Sequence, residues 1–294
     1  MTGGDITFSA NSFIPQGTIS GDGNLTIRRN TAGDQRVNAA DLRFIQPGFT
    51  SVTVGSSLTT PLTINSDGDN NLATGSVNVG APLTLVGQTL ILGDSIQQDT
   101  YPLALRAENK LQFTSHGAPI GTGDVLIEKL NSGGTLTIVG NMGVPAGLAP
   151  WGLDNTSLSV PESIVDFTGG VGSGFASLTA SAGSLRFNSP GAVTAQGDIS
   201  FTADEMQLNG GVISQTGTIS LTGGVELTGN VLFKVAAGQN LIVDGGVAAN
   251  GYNTLVRGNG GPANQVSFLG DVVGVGSFQV DSSGTSTAHS VALA

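Results

Sequence analysis

Gly197-Asp198-Ile199-Ser200-Phe201 and Gly217-Thr218-Ile219-Ser220-Leu221 are the same phrase written twice, 20 residues apart. Each opens on a glycine and a polar residue, then alternates apolar, hydroxyl, apolar. Apolar side chains two apart lie on one face of an extended strand, and a glycine ahead of the run marks a tight turn. The 20-residue interval is a repeat signal.

Working outward, the phrase recurs as Gly4-Asp5-Ile6-Thr7-Phe8, Gly23-Asn24-Leu25-Thr26-Ile27, Gly134-Thr135-Leu136-Thr137-Ile138 and Gly183-Ser184-Leu185-Arg186-Phe187. A unit this short cannot bury its own apolar face, so each copy must stack on its neighbours. The pattern predicts an all-β solenoid with rungs of about 20 residues.

Composition agrees. Of 294 residues 46 are glycine and only 11% are charged, against a usual charged fraction of roughly 25%. The helix formers Lys, Glu and Arg are scarce, and no stretch carries apolar residues at sustained three-four spacing. The apolar content, 38%, is too ordinary and too regular for a disordered chain. A net charge of −11 and a pI near 4.3 disfavour nucleic acid and anionic membrane surfaces, which require a basic face. Arg28, Arg29, Arg36 and Arg43 are the local exception, read either as solvated arginines or as a contact for an anionic glycan. With no cysteine, disulfides, thiol catalysis and thiolate metal sites are absent. No apolar run is long enough to span a bilayer, so no membrane insertion is expected, and Met1-Thr2-Gly3-Gly4 does not resemble a signal peptide.

Strands are predicted near 5–9, 24–28, 42–46, 51–54 and 61–64, with turns at Gly21-Asp22-Gly23 and Gly33-Asp34. Residues 72–140 continue with short alternating runs such as Leu83-Thr84-Leu85 and Leu103-Ala104-Leu105. The stretch 141–175 breaks the beat with Pro145, Pro150, Pro161, Trp151 and the run Gly169 to Gly174. Proline cannot donate to an interior ladder, so this stretch is expected to leave the coil as a loop excursion. The whole of residues 1–294 reads as one β-helix unit with that excursion within it. The pattern starts at residue 5 and is still running at Ser290-Val291-Ala292-Leu293-Ala294, the expectation for an internal fragment of a larger protein whose export signal lies elsewhere.

The string Leu42-Arg43-Phe44-Ile45-Gln46-Pro47-Gly48-Phe49-Thr50-Ser51-Val52-Thr53-Val54-Gly55, followed by Pro61-Leu62-Thr63-Ile64, resembles a repeat of very large bacterial surface proteins of the filamentous haemagglutinin family. Phe175-Ala176-Ser177-Leu178-Thr179-Ala180 and Gly197 to Ala203 resemble the generic rungs of the same group. The resemblance implies a right-handed parallel β-helix, secretion to the bacterial cell surface and adhesion, with host or environmental glycans or surface proteins as partners. The family's secretion domain, with its Asn-Pro-Asn-Gly type motifs, has no counterpart in this sequence.

Chemistry-bearing constellations are few. Glycoside hydrolysis needs two acids roughly 5–10 Å apart, which on adjacent rungs means about one rung of sequence. Glu205 and Glu226 have that spacing; Asp244 and Asp271 are a looser pair. Asn65, Asp67 and Asp69 place oxygen side chains at alternate positions, as calcium would want, or as an Asx-rich turn would. His116 and His289 have no metal-ligand partners in sequence. Trp151 is a candidate sugar-stacking platform or a plug over a rung. The leading expectation is a non-enzymatic adhesin segment without cofactors beyond that calcium. The alternatives are a polysaccharide lyase or hydrolase on the same scaffold, or a stalk whose terminal rungs associate end to end.

Overall fold

In the computed structural model, which describes residues 4–65, 78–93, 96–97, 100–114, 119–120, 123–140, 153–169, 171, 175–259, 263–281 and 286–293, the chain is a parallel β-solenoid. Its contacts divide it into two compact units, 1–131 with 136–157, and 132–135 with 158–294. Alternation builds both.

In the first unit, Ile6–Ser9, Asn24–Arg28, Ser51–Gly55, the leading halves of Leu83–Leu92 and Leu103–Phe113, and Val125–Lys129 stack in parallel as one face. Leu25, Val52, Leu83, Leu103 and Val125 form an inward column, each in register with the next and all buried. A second face carries Gly33–Asn38, Thr59–Asn65 and the trailing halves of Leu83–Leu92 and Leu103–Phe113. The step from Leu83 to Leu103 matches the expected rung, whereas Leu25 to Val52 and Val52 to Leu83 are longer. The extra residues are corners and loops, which the strand spacing does not constrain.

The second unit has three faces. On the first, Leu178, Ile199, Ile219, Leu241 and Val266 stack inward, and on the second Leu185, Met206, Val225, Val247 and Val272 do so. Val193, Val212, Phe233 and Val256 line the third. Phe187 stacks on Phe167 at 4.7 Å and on Phe201 at 5.2 Å between ring centroids, joining faces through the core. Each fully buried side chain of this size contributes roughly 1.5–3 kcal/mol.

Where the first face bends into the second, only small residues fit. At Gly223, with φ of +121°, a Cβ would lie 1.7 Å from the Ala203 carbonyl oxygen. At Gly245, one rung on, it would lie 2.1 Å from the Gly223 carbonyl oxygen. The rungs touch backbone to backbone at this corner.

Three expectations change. Residues 42–46 are not a strand: Ala39–Leu42 is a single helical turn, continued by Phe44 N–H to Asp41 O and Ile45 N–H to Leu42 O bonds. Ala39, Leu42 and Ile45 are buried at spacing three, the period of a helix. Gly33-Asp34 opens the strand Gly33–Asn38 rather than a turn. Its inward positions hold Gln35 and Val37, and Gln35 is satisfied inside by the Ile27 carbonyl and the Thr59 hydroxyl, which hides the alternation. Finally, of the stretch 141–175, residues 141–152 lie outside the described residues, but Leu153–Phe167 is a strand of the coil rather than an excursion. Thr156, Leu158 and Val160 are buried ahead of Pro161-Glu162, and Ser163, Val165 and Phe167 after it. The phase shift shows that Pro161 sits at a corner, where the ladder is interrupted and a missing N–H costs little.

Polar side chains also climb from rung to rung. Asn24 donates its backbone N–H and its amide to Asp5 Oδ1 at 2.9 and 3.0 Å, and accepts from Ser51 at 2.8 Å. Lys129 Nζ, on a side chain only 3% exposed, donates to Glu108 Oε1 at 2.5 Å, and Asn131 donates twice to Glu108 Oε2 at 2.9 Å. Burial pushes the Glu108 carboxyl up, but the bonds from Lys129 and Asn131 outweigh it and hold the group below its ordinary value.

Candidate functional site

The second face of the second unit carries the acids. Outward positions on this face form two columns, fixed by register. In one, Glu205 stands opposite Gly224, and the same register continues to Gly246 and Asp271. In the other, Gln207, Glu226, Ala248 and Val273 follow one another. An acid therefore closes each end of a two-glycine floor, with Glu226, Ala248 and Val273 along its side. The result is a groove of about 490 Å³. Three rung steps separate Glu205 from Asp271, roughly 14 Å from end to end.

The floor is low for lack of side chains, not for lack of room. A Cβ on Gly224 would meet nothing closer than the Asp204 carbonyl oxygen at 3.4 Å, and one on Gly246 nothing closer than the Asp271 carbonyl oxygen at 3.7 Å. Both positions could carry larger residues, and the groove exists because they do not.

Glu226 is held from both sides. Gln207 Nε2 on the preceding rung donates to its Oε2 at 2.8 Å, and Asn250 Nδ2 on the following one donates to its Oε1 at 3.1 Å. Asn250 is itself fixed in the left-handed region, φ 52°, with a second bond to the Leu227 carbonyl. A carboxylate has about four acceptor positions, so both oxygens of Glu226 can still accept from a ligand. Glu205 and Asp271 are exposed, and Val273, 44% exposed, offers apolar surface beside them.

The structure brings together Glu205 and Glu226, as their spacing predicts, and separates Asp244 from Asp271. Asp244 ends the strand Asn240–Asp244 on the first face, beside Thr222. Sequence reasoning assigns Gly223-Gly224 and Gly245-Gly246 no role and so misses the floor; in each pair the first glycine is the corner and the second is the floor. Asn65 ends the strand Thr59–Asn65 beside Asn38, while Asp67, Asp69, His116 and Trp151 lie outside the described residues. Among the described residues, no group of three or more His, Asp or Glu is placed to hold a metal ion. No helix among them is long and apolar enough to cross a membrane.

The model of the haemagglutinin repeat family matches residues 2–40, 30–117 and 171–245. The chain belongs to the haemagglutinin repeat family. Both stretches whose wording resembles that family, 42–64 and 175–203, fall within the matched residues. No curated protein and no solved structure matches the chain. Haemagglutinin repeats are structural, adhesin-type segments. In this member Glu205, Gly224 and Glu226 lie inside the third matched segment, and Gly246, Ala248, Asp271 and Val273 lie beyond it. The groove is thus assembled across the edge of the recognisable repeat.

Proposed function

We propose that this chain is a non-enzymatic segment of a secreted or surface-displayed bacterial adhesin, and that its groove holds neutral or amino-bearing glycans. The observation that carries the reading is the column Glu205, Gly224, Gly246, Asp271, with Glu226 tethered beside it. Carboxylates accept sugar hydroxyls, and hydrogen bonds to charged groups contribute roughly 1.5–3 kcal/mol each. Val273 and Ala248 face the C–H surface of a ring. Three acids in a chain of net charge −11 repel acidic sugars. Membership of the haemagglutinin repeat family supports display outside the cell.

A hydrolase is the rival reading, favoured by Glu205 and Glu226 sharing a groove. With strand and rung spacing as they are, their Cα atoms lie roughly 8 Å apart on one face, near enough for both side chains to reach one sugar ring. The tether favours holding over cleavage, because Gln207 donates a hydrogen bond to one oxygen of Glu226 and Asn250 to the other, an arrangement suited to a fixed acceptor. The test is retention of the protein on a panel of immobilised neutral, amino and acidic polysaccharides, with released reducing ends assayed in the flow-through. Retention on neutral or amino sugars without release, weakened about tenfold by Glu226→Gln, supports the adhesin; a tenfold loss corresponds to about 1.4 kcal/mol. Release abolished by Glu226→Gln would establish the hydrolase instead.

A further inference from the structure

The first unit contains a basic cleft in an otherwise acidic molecule. It has a volume of about 300 Å³ and is lined by Arg28, Arg29, Asn30, Ser56, Ser57 and Leu58. The sequence explains the site: Arg28-Arg29-Asn30 leaves the first face on one rung, and Ser56-Ser57-Leu58 turns the same corner on the next. Stacking brings two guanidinium groups against two hydroxyls.

The lining is shaped in advance. Ser56 Oγ lies 3.2 Å from the Thr59 hydroxyl and accepts from Leu58 N–H at 3.3 Å, and Gln88 Nε2 fixes the Ser57 carbonyl at 3.3 Å. Asn30 is anchored to the Ser9 carbonyl at 2.9 Å. Arg29 donates Nη1 to the Asp34 carbonyl, and its buried Nε has no hydrogen-bond partner among the described residues. Arg28 has one long bond to Ser9 Oγ, 3.4 Å. Among the described residues neither guanidinium is paired with a carboxylate, although the chain has 21 acids to 10 bases. A buried donor without a partner is costly, and two adjacent unpaired guanidiniums repel each other.

We propose that this cleft binds the phosphate monoester of a phosphorylated sugar. A doubly charged tetrahedral group balances two guanidiniums, which recognise phosphate through paired N–H donors, and the Ser57 hydroxyl completes the donor set, the Ser56 hydroxyl being committed to Thr59. Leu58, 52% exposed at the rim, offers the sugar ring an apolar contact. A polyanion is disfavoured because the chain as a whole carries a net charge of −11. Arg36 and Arg43 do not line the cleft. The site is independent of the groove of the second unit.

The test is calorimetric titration of the intact chain with inorganic phosphate, a hexose 6-phosphate, the same hexose 6-sulfate and a phosphodiester polymer. The hexose phosphate is expected to bind at least tenfold more tightly than inorganic phosphate or the hexose sulfate, with no saturable binding of the polymer. Arg28→Gln and Ser57→Asp, both on the exposed corner, are expected to weaken that binding at least tenfold while the thermal midpoint is unchanged. Equal affinity for all anions, tighter binding of the polymer, no binding of the hexose phosphate, or indifference to both substitutions would overturn the assignment.

Discussion

Replacing Glu108 by glutamine removes the only carboxylate paired with Lys129 among the described residues, whose side chain is 3% exposed. The ammonium then retains the Asn131 carbonyl at 3.1 Å, and glutamine keeps one acceptor oxygen for the two N–H groups of Asn131. Stranding one member of a fully buried pair costs about 3–5 kcal/mol, but the Glu108 side chain is 22% exposed and both residues are half-buried, so solvent and these surviving bonds reduce the loss to about 1.5 kcal/mol. A solenoid opens locally, so hydrogen exchange is the informative assay. The amide of Leu130, bonded to the Ala107 carbonyl at 3.1 Å, is expected to exchange roughly tenfold faster in Glu108→Gln. Glu108→Leu combined with Lys129→Met, which removes both charges, is expected to recover most of the protection. The acid side has a definite sign. Because the Glu108 carboxyl is held below its ordinary value in the folded chain, its contribution is complete above the ordinary carboxylate range and is lost as pH falls through the lowered value. The wild type therefore loses protection at Leu130 in acid, and Glu108→Gln lacks that component. A change below threefold, or a double variant as weakened as the single one, would refute the reasoning.

Gly223→Ala, whose Cβ would meet the Ala203 carbonyl at 1.7 Å, is expected to lower the thermal midpoint sharply, whereas Gly246→Ala shifts stability by at most about 0.5 kcal/mol. Phe201→Ala, which empties a site stacked against Phe187, is expected to cost about 3–5 kcal/mol in urea denaturation. A cysteine pair at Ser200 and Ser220, registered neighbours on stacked strands, is expected to be joined by the thiol cross-linker dibromobimane, and a pair at Ser200 and Thr222 is not.

The repeat was legible because Ile199, Phe201, Ile219 and Leu221 obey the strand period on a face that must be buried. Gly33–Asn38 was not, since Gln35 takes an inward place that the Ile27 carbonyl and, a full rung away, the Thr59 hydroxyl make tolerable. Pro161 misled for a related reason: whether a missing N–H matters depends on whether the residue is in a ladder or at a corner, and that is decided by the rungs above and below. Glu205 and Glu226 could be paired from spacing alone. Asp271 could not, because loops make rung length uneven, and the floor glycines look in sequence like any other turn.

The groove is tested most directly by filling it. Gly246→Leu adds a side chain where the nearest atom to its Cβ is 3.7 Å away, so the coil is expected to keep its circular dichroism and thermal midpoint. On the column matrix that best retains the wild type, the filled variant is predicted to pass through unretained, with no sugar released by either protein. Retention of the filled variant equal to that of the wild type would contradict the account and place attachment on another face of the coil.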